Sequence, residues 1–219
     1  MSINLAGASG QPQEIETNSR AARAVLRPSD VGSLGSYKVS LISGSMAAGL
    51  AANAPAYSFR NNGSNYVLLR RLNAQAMSLG TGFTAGNALL AAYIARSWYG
   101  ADSGGNTLTA GSGRAKGTHA NQSATDIRIS NTATLTGGTR TLDANPFAQL
   151  QGPVGAGTYA QFFARGNPIL DTRPGDWPLI LAPNEGVVIQ ATVPATGVWQ
   201  FIVDAEWDEV STYGTALAA

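Results

Sequence analysis

The single histidine of the chain, His119, lies close to Ser123 and Asp126, and these are the residue types of a Ser–His–Asp hydrolase. Such a triad needs a nucleophile on a rigid element, a base oriented by a buried carboxylate, and an oxyanion hole. All three residues fall in or beside a polar segment rich in glycine, which seldom supplies that geometry. The pattern favours an exposed loop histidine, and we predict no catalytic residues and no enzymatic activity.

A phosphate-binding loop is the next candidate, because residues 111–118 read GSGRAKGT. The P-loop pattern places its lysine directly after the second glycine and its Ser/Thr after that lysine. Here Lys116 precedes Gly117, so the match fails. We predict no cofactor-binding site.

Three carboxylates, Asp204, Glu206 and Asp208, occupy alternate positions near the C-terminus. Alternate residues of a strand lie about 7 Å apart, which is too far for all three to bind one Ca²⁺ without loop ligands. They form only a weak Ca²⁺ candidate, and a solvated or arginine-paired acidic ridge is favoured. Four arginines are suitable partners from a neighbouring copy, since arginine binds carboxylates through two parallel hydrogen bonds. They are Arg70, Arg71, Arg96 and Arg165.

Composition excludes further classes of chemistry. The 219 residues include no cysteine, which rules out disulfides, thiolate nucleophiles and Cys-ligated metals. A formal net charge of +1 gives no electrostatic reason to expect a nucleic acid or an anionic membrane as partner. The N-terminal residues lack a signal-peptide pattern, and no apolar run approaches the roughly 20 residues of a membrane-spanning helix. Frequent glycine and proline suit short strands joined by tight turns.

The clearest strand pattern lies in residues 182–210. Turn signals at 183–186 and 194–197 bracket a run of β-branched residues at 187–193. Apolar and polar residues then alternate, which predicts a half-buried antiparallel strand. The apolar set is Trp199, Phe201, Val203, Ala205 and Trp207, and the polar set is Gln200, Asp204, Glu206 and Asp208. We predict that the two segments form a β-hairpin.

Other strands follow from the same reasoning. Asn61-Asn62-Gly63 is a hairpin turn signal, because Asn-Gly tolerates the positive φ of a type I′ turn. The Ala- and Leu-rich segment 87–98 is ambiguous between helix and strand, and its flanking glycines favour strand. Residues 100–125 are predicted to form one long polar loop. The remaining predicted strands are 37–42, 56–60, 66–75, 126–130, 139–142, 157–164 and 177–181.

These elements predict an all-β fold, an antiparallel, jelly-roll-like β-sandwich with long loops and an extended N-terminal arm. We divide the chain into an arm at 1–36 with a short helix over 14–26, a sandwich domain at 37–210, and a tail at 211–219. Trp199 and Trp207 are expected in the core, whereas Trp98 and Trp177, beside loops, are expected at the surface. The predicted interface residues are Arg20, Arg23, Arg27, Trp98, Arg114, Asp204 and Glu206.

Several short motifs together resemble a family of tailed-bacteriophage virion proteins. They are residues 43–53 (SGSMAAGLAAN), 95–98 (ARSW), 102–105 (DSGG), 126–128 (DIR), 138–143 (GTRTLD), 184–189 (NEGVVI) and 206–210 (EWDEV). The resemblance implies a structural protein on the outer surface of the capsid, made in the host cytoplasm. Its most direct form is a capsid decoration (cement) protein whose partners are the major capsid protein and copies of itself.

Two other functions remain open at this point. The chain could be a tail, collar or fibre component in which Trp98 or Trp177 contacts a receptor or glycan. A cell-wall hydrolase is disfavoured, because the sequence offers no paired acid and base that can be located.

Overall fold

The computed structural model describes residues 34–46, 50, 53–80, 82–108, 124–157, 168–172 and 176–211, together with the backbone of four short strands at 5–6, 12–13, 115–116 and 161–162. Residues 1–31 form one compact unit and residues 32–219 another. In the first unit, β1 (Leu5–Ala6) pairs antiparallel with β2 (Pro12–Gln13). The predicted helix over 14–26 and the predicted tail beyond Ser211 lie outside the described residues.

The second unit is an antiparallel β-sandwich, which confirms the predicted fold class. Its strands are β3 (Gly35–Ile42), β4 (Ala54–Asn61), β5 (Tyr66–Ser78), β6 (Gly86–Arg96), β7 (Asn106–Leu108), β8 (Ala115–Lys116), β9 (Thr125–Ile129), β10 (Thr141–Leu142), β11 (Ala148–Val154), β12 (Gln161–Phe162), β13 (Leu170–Asp171), β14 (Leu179–Leu181), β15 (Gly186–Thr192) and β16 (Trp199–Val210). Within the described ranges, no helix has the length and apolar character needed to span a bilayer.

The strands form two sheets. Sheet I has the order β12-β5-β16-β3-β8, and β13 and β14 also pair with β5. Sheet II has the order β10-β6-β15-β4-β9-β7, and β11 also pairs with β6. The main strands change sheet at successive steps, from β3 to β4, to β5, to β6, and again from β15 to β16. This alternation gives the sandwich its jelly-roll-like connectivity.

Two predicted hairpins are therefore wrong. The turn at residues 61–63 connects β4 in sheet II to β5 in sheet I, and β15 and β16 likewise belong to different sheets. The turn signals were located correctly, but a turn residue does not decide which strand its neighbour pairs with. In both cases each strand has an apolar inward face, so the two strands face each other across the core.

The core lies between the sheets and is organised around β16. All five apolar residues of its predicted inward face are buried, which confirms that prediction. The Trp207 ring stacks on Tyr37 of β3 with centroids 5.6 Å apart and meets Phe59 of β4 edge-on at 5.2 Å. Such aromatic contacts stabilise beyond the area they bury, so this cluster joins the sheets near one end of β16.

Some strands were missed by sequence reasoning. The segment 87–98 is confirmed as strand β6, but its neighbour β11 was not predicted, because Gly152 and Pro153 interrupt its pattern. The supposed loop at 100–125 contains β7 and β8. Both are too short to give an alternating signal.

Candidate interaction surface

Trp98 lies at the centre of a small second core on the outer side of sheet II. Its side chain is 1% exposed and packs with Ala95 and Val188. Leu142 packs against this cluster of three residues. Val187 and Ile189 point into the main core, so Val188 between them faces outward. The loops that cover this face, residues 97–105 and 134–143, are called the Trp98 loops below.

Gly186 makes room for the Trp98 ring. A Cβ atom at position 186 would lie 2.7 Å from Trp98 Cζ3 and would also collide with the carbonyl oxygen of Phe59. Only glycine lets the indole approach the backbone of β15 this closely. The start of β15 and the Trp98 loops are therefore fitted to each other.

A buried ion pair closes the second core. The guanidinium of Arg140 lies 4.6 Å from the centroid of the Trp98 ring and pairs with the carboxylate of Asp102. The Gly138 N–H donates to Asp102 Oδ1 at 2.8 Å, and Trp98 Nε1 donates to the carbonyl of Gly100 at 3.0 Å. Burial lowers the pKa of Arg140 to about 10, so the side chain stays protonated at neutral pH. These contacts fix both Trp98 loops through side chains with little solvent exposure.

Two residues next to Trp98 have strained backbone conformations. Ser97 has φ 51° and Asn184 has φ 61°, in the left-handed region that non-glycine residues seldom adopt. The Trp98 N–H donates to the Asn184 carbonyl at 2.8 Å, which joins the two strained turns. Strain of this kind persists where surrounding contacts over-determine the backbone, and it concentrates at functional sites.

Tyr99 is presented to solvent by this fixed backbone. Its N–H donates to the Thr139 carbonyl at 3.0 Å, and its own carbonyl accepts from Arg60 Nη2 at 3.2 Å. The side chain nevertheless is 70% exposed. A large aromatic side chain held by an ordered backbone loses little further backbone entropy on binding a partner.

Charged side chains form a rim where β6 ends, next to Trp98, and its members are Arg96, Asp143 and Glu185. Arg96 Nε lies 2.8 Å from Asp143 Oδ1, and Arg96 Nη1 lies 3.0 Å from Glu185 Oε1. Hydrogen bonding to Asp143 is the main cause of a raised Arg96 pKa. Arg96 is thus engaged within its own chain and not reserved for a neighbouring acidic ridge.

The expected surface position of Trp98 is wrong. The sequence shows a tryptophan beside a polar loop, but in the structure Arg140 covers the ring and Trp98 Nε1 donates to the Gly100 carbonyl. Trp98 is therefore covered by its own chain. The surface position of Trp177 is confirmed, since that side chain is 71% exposed.

Asp204 and Glu206 of β16 lie on the outer face of sheet I with neighbours from both adjacent strands. Asp204 is opposite Ser40 and Asn73, and it is partly exposed. Glu206 is exposed, and the residues opposite it are Lys38 of β3 and Arg71 of β5. The ridge was expected to find arginines on a neighbouring copy, but basic residues of the same sheet already flank it.

Asp208 differs from the other two carboxylates because it is fully buried. Arg70 Nε lies 2.5 Å from Asp208 Oδ2, and the residue opposite Asp208 on β3 is Ser36. Burial nevertheless raises the pKa of Asp208, and the contacts with Ser36 and Arg70 oppose that rise. A β-bulge between Glu206 and Trp207 occurs at this point of the β16–β5 pairing.

Several predicted site residues are not brought together. Among the described residues, no three His, Cys, Asp or Glu side chains form a group that could hold a metal ion, and Asp208 of the weak Ca²⁺ candidate is engaged by Arg70. Asp126 of the supposed triad forms an ion pair with Arg128 at 3.2 Å. The predicted residues that lie outside the described ranges are Arg20, Arg23, Arg27, Arg114, His119, Ser123 and Arg165.

Tyr99, Asp102 and Arg140 were not singled out as site residues from the sequence. A signal was present, because four of the motifs that carry the family resemblance, 95–98, 102–105, 138–143 and 184–189, converge on the Trp98 loops and the start of β15. Motifs distant in sequence that meet in one place indicate a shared structural task. Comparison with family models, with curated proteins and with solved structures finds no match to this chain.

Proposed function

We propose that this chain is a structural subunit of a tailed-phage particle, and specifically a head decoration protein that binds the outside of the capsid lattice. The observation that carries the proposal is the convergence of four virion-like motifs on the fixed cluster that presents Tyr99. Interfaces obtain much of their binding energy from a few well-positioned Tyr, Trp and Arg side chains. A rigid Tyr99 is suited to that role.

The sandwich fold agrees with this proposal. Jelly-roll sandwiches recur in viral capsid proteins and in lectins, so the fold is compatible with a lattice protein and also with a glycan-binding one. Fold alone does not assign function. The choice of a lattice protein therefore depends on the motifs and on the Tyr99 cluster.

The proposed partners are the major capsid protein and other copies of this chain. Many identical contacts of modest area add on a symmetric lattice, so that no single contact has to be strong. Each bound copy would link adjacent capsomers and oppose the outward pressure of packaged DNA.

The first test is the copy number of this chain relative to the major capsid protein in purified particles, measured by quantitative mass spectrometry. We expect hundreds of copies. A few to tens of copies would place the chain in the collar or tail, and absence from particles would overturn the proposal.

The second test replaces one exposed aromatic residue at a time. We expect Tyr99→Ala to lower occupancy on decoration-free capsids at least tenfold, because it removes the proposed anchor. Trp177→Ala is the matched control, since the two side chains are almost equally exposed, 70% and 71%. Equal occupancy for Tyr99→Ala and the wild type would exclude Tyr99 as the anchor.

A tail or fibre component with a glycan-binding role is the second candidate, and the exposure of Trp177 favours it. An exposed indole offers a flat apolar face, and carbohydrates present apolar C–H faces that can stack on it. In this case Trp177→Ala would abolish adsorption to the host surface while Tyr99→Ala would leave it unchanged, which is the reverse of the pattern expected for a decoration protein.

A further inference from the structure

The connection between β4 and β5 contains the one Asn-Gly step of the sequence, Asn62-Gly63. Asparagine side chains are chemically labile, and the reaction is fastest before glycine, because glycine has no side chain to hinder attack by its backbone nitrogen. Asn62 is exposed, so water reaches its amide. This step of the chain is therefore prone to spontaneous deamidation unless the fold restrains it.

The side chain of Asn61 supplies such a restraint. The Gly63 N–H donates to Asn61 Oδ1 at 3.1 Å. The nitrogen of Gly63 is the atom that would attack the Asn62 side chain, and it can do so only after losing its proton. The Asn61–Gly63 hydrogen bond therefore keeps the attacking nitrogen protonated and directed at another acceptor.

Asn61 is itself firmly held. Its residue is 1% exposed, and Nδ2 donates to the Asn65 carbonyl at 2.7 Å and to the Leu181 carbonyl at 3.1 Å. Two acceptors at Nδ2 and one donor at Oδ1 determine which way the amide is oriented. Asn61 ends β4 of sheet II, whereas Leu181 belongs to β14 of sheet I. The restraint on Gly63 is thus built into the junction between the two sheets.

Packing explains why a glycine follows Asn62. A Cβ atom at position 63 would lie 2.8 Å from the Cβ of Ala124. The Ala124 N–H donates to Glu209 Oε1 at 3.2 Å, which ties Ala124 to the end of β16. A larger residue at position 63 would displace this contact, so the same packing that fits the junction together retains the labile step.

We propose that Asn62 is a deamidation site that the Asn61–Gly63 hydrogen bond keeps closed in the folded chain. When that bond opens, the Gly63 nitrogen gives its proton to hydroxide and attacks Asn62 Cγ. The Cγ–Nδ2 bond then breaks, and ammonia leaves with a proton from water. A second water opens the resulting succinimide at one of its two carbonyls, which gives aspartate or isoaspartate. The inference goes beyond the proposed function and does not rest on it.

Peptide mapping by mass spectrometry tests the site and its protection. The full chain is kept at mildly alkaline pH, folded in buffer or unfolded in guanidinium chloride, and we expect Asn62 to deamidate at least tenfold more slowly when folded. Asn62→Gln is the control, because glutamine would have to close a six-membered ring and should keep its amide in both samples. Equal rates in the two samples would overturn the protection, and an unmodified Asn62 in denaturant would overturn the site.

Hydrogen exchange of the Gly63 amide tests whether the Asn61–Gly63 bond is the cause. Exchange and attack both begin with loss of the same proton, so one local opening should control both. We expect folding to slow the two processes by factors that agree within about threefold, with exchange measured by NMR. A Gly63 amide that exchanges freely in the folded chain, or factors that disagree, would show that the protection has another origin.

Asn61→Ala removes the acceptor, and we expect it to raise the deamidation rate of folded chain at least tenfold. Asn65→Ala is the matched control, since it keeps the backbone carbonyl that accepts from Asn61, and it should deamidate like the wild type. Urea denaturation verifies that both variants are folded. A wild-type rate in folded Asn61→Ala would overturn the proposal, and if that variant does not fold, the comparison of exchange with deamidation in the wild type decides.

Discussion

Among the residues that the structure describes, two buried aspartates pair with arginine, and the two sites differ in the exposure of the arginine. In the Trp98 loops both partners are buried, with Arg140 5% and Asp102 0% exposed. On sheet I, Asp208 is 0% exposed but Arg70 is 35% exposed. Arg140–Asp102 is a closed pair, in which both side chains are shielded from solvent. Asp208–Arg70 is an open pair, in which a buried carboxylate pairs with an arginine that is partly exposed to solvent.

The difference determines what each pair contributes. Removing one partner of a closed pair leaves an uncompensated buried charge, so such a pair is costly to break and fixes a conformation. A half-exposed pair leaves its arginine solvated when broken. It has little influence on the shape of a loop, but its carboxylate is sensitive to pH because burial opposes ionisation.

The largest effect is expected for Arg140→Ala. The change leaves Asp102 charged and buried and removes the cation–π contact with Trp98, so the free energy of unfolding should fall by about 3–5 kcal/mol. Urea denaturation measures this, with Arg128→Ala as control, because the Arg128–Asp126 pair is partly exposed. A loss below about 1 kcal/mol would show that the Trp98 loops do not depend on the closed pair.

Gly186→Ala tests the same region without changing a charge. The added methyl group would collide with Trp98 and with the Phe59 carbonyl, so we expect a loss of about 1–3 kcal/mol in urea denaturation. Gly155→Ala is the control, because nothing lies within 4 Å of a Cβ at that position. If both variants unfold alike, Trp98 does not need the space that Gly186 leaves.

Asp208→Asn should cost only about 1 kcal/mol at pH 7, because solvent screens the charge left on Arg70. The pH profile gives the sharper test. The pKa of Asp208 is raised in the folded chain above its ordinary value of 3.8, so the folded state takes up this proton at a higher pH than the unfolded state does.

The resulting stabilisation is complete below the unfolded pKa and is lost as pH rises through the folded pKa. Wild type should therefore gain stability relative to Asp208→Asn as the pH falls from 7 toward 4, measured by urea denaturation at each pH. Parallel profiles for the two proteins would contradict this assignment.

The smallest effect is expected for Arg96→Ala. Arg96 pairs with Asp143 and Glu185 at the rim, but it is about half exposed, and exposed ion pairs seldom contribute more than about 1 kcal/mol. Its effect should also shrink in 1 M salt, where exposed charges are screened. A loss as large as that of Arg140→Ala would remove the distinction between closed and open pairs.

Sequence reasoning predicted what depends on short-range pattern. The alternation from Trp199 to Trp207 predicted both β16 and its buried face, because a period of two is set by the strand itself. The segment 87–98 was identified as strand from its flanking glycines, because its Ala and Leu content left it ambiguous between helix and strand. The turns at 61–63 and 194–197 were found as turns because their residues tolerate unusual backbone angles.

The features that sequence reasoning could not predict depend on contacts between segments that are distant in sequence. Nothing in the local sequence shows that β15 and β16 enter different sheets, since either arrangement buries their apolar faces. Trp98 looked exposed because its cover, Arg140, lies more than forty residues away in sequence. Asp208 was placed with Asp204 and Glu206 on the water side of a strand, and only its neighbour Arg70 and the β-bulge make it different.

The position of β16 has a consequence for how the chain acquires its structure. This strand spans Trp199–Val210 and lies between β3 and β5, which both end before residue 80. Sheet I therefore cannot form its centre until residues 199–210 have been synthesised. Contacts of such long sequence separation slow folding and leave strand edges open in the meantime. During translation, the edges of β3 and β5 that β16 later joins therefore stay unpaired until β16 has left the ribosome.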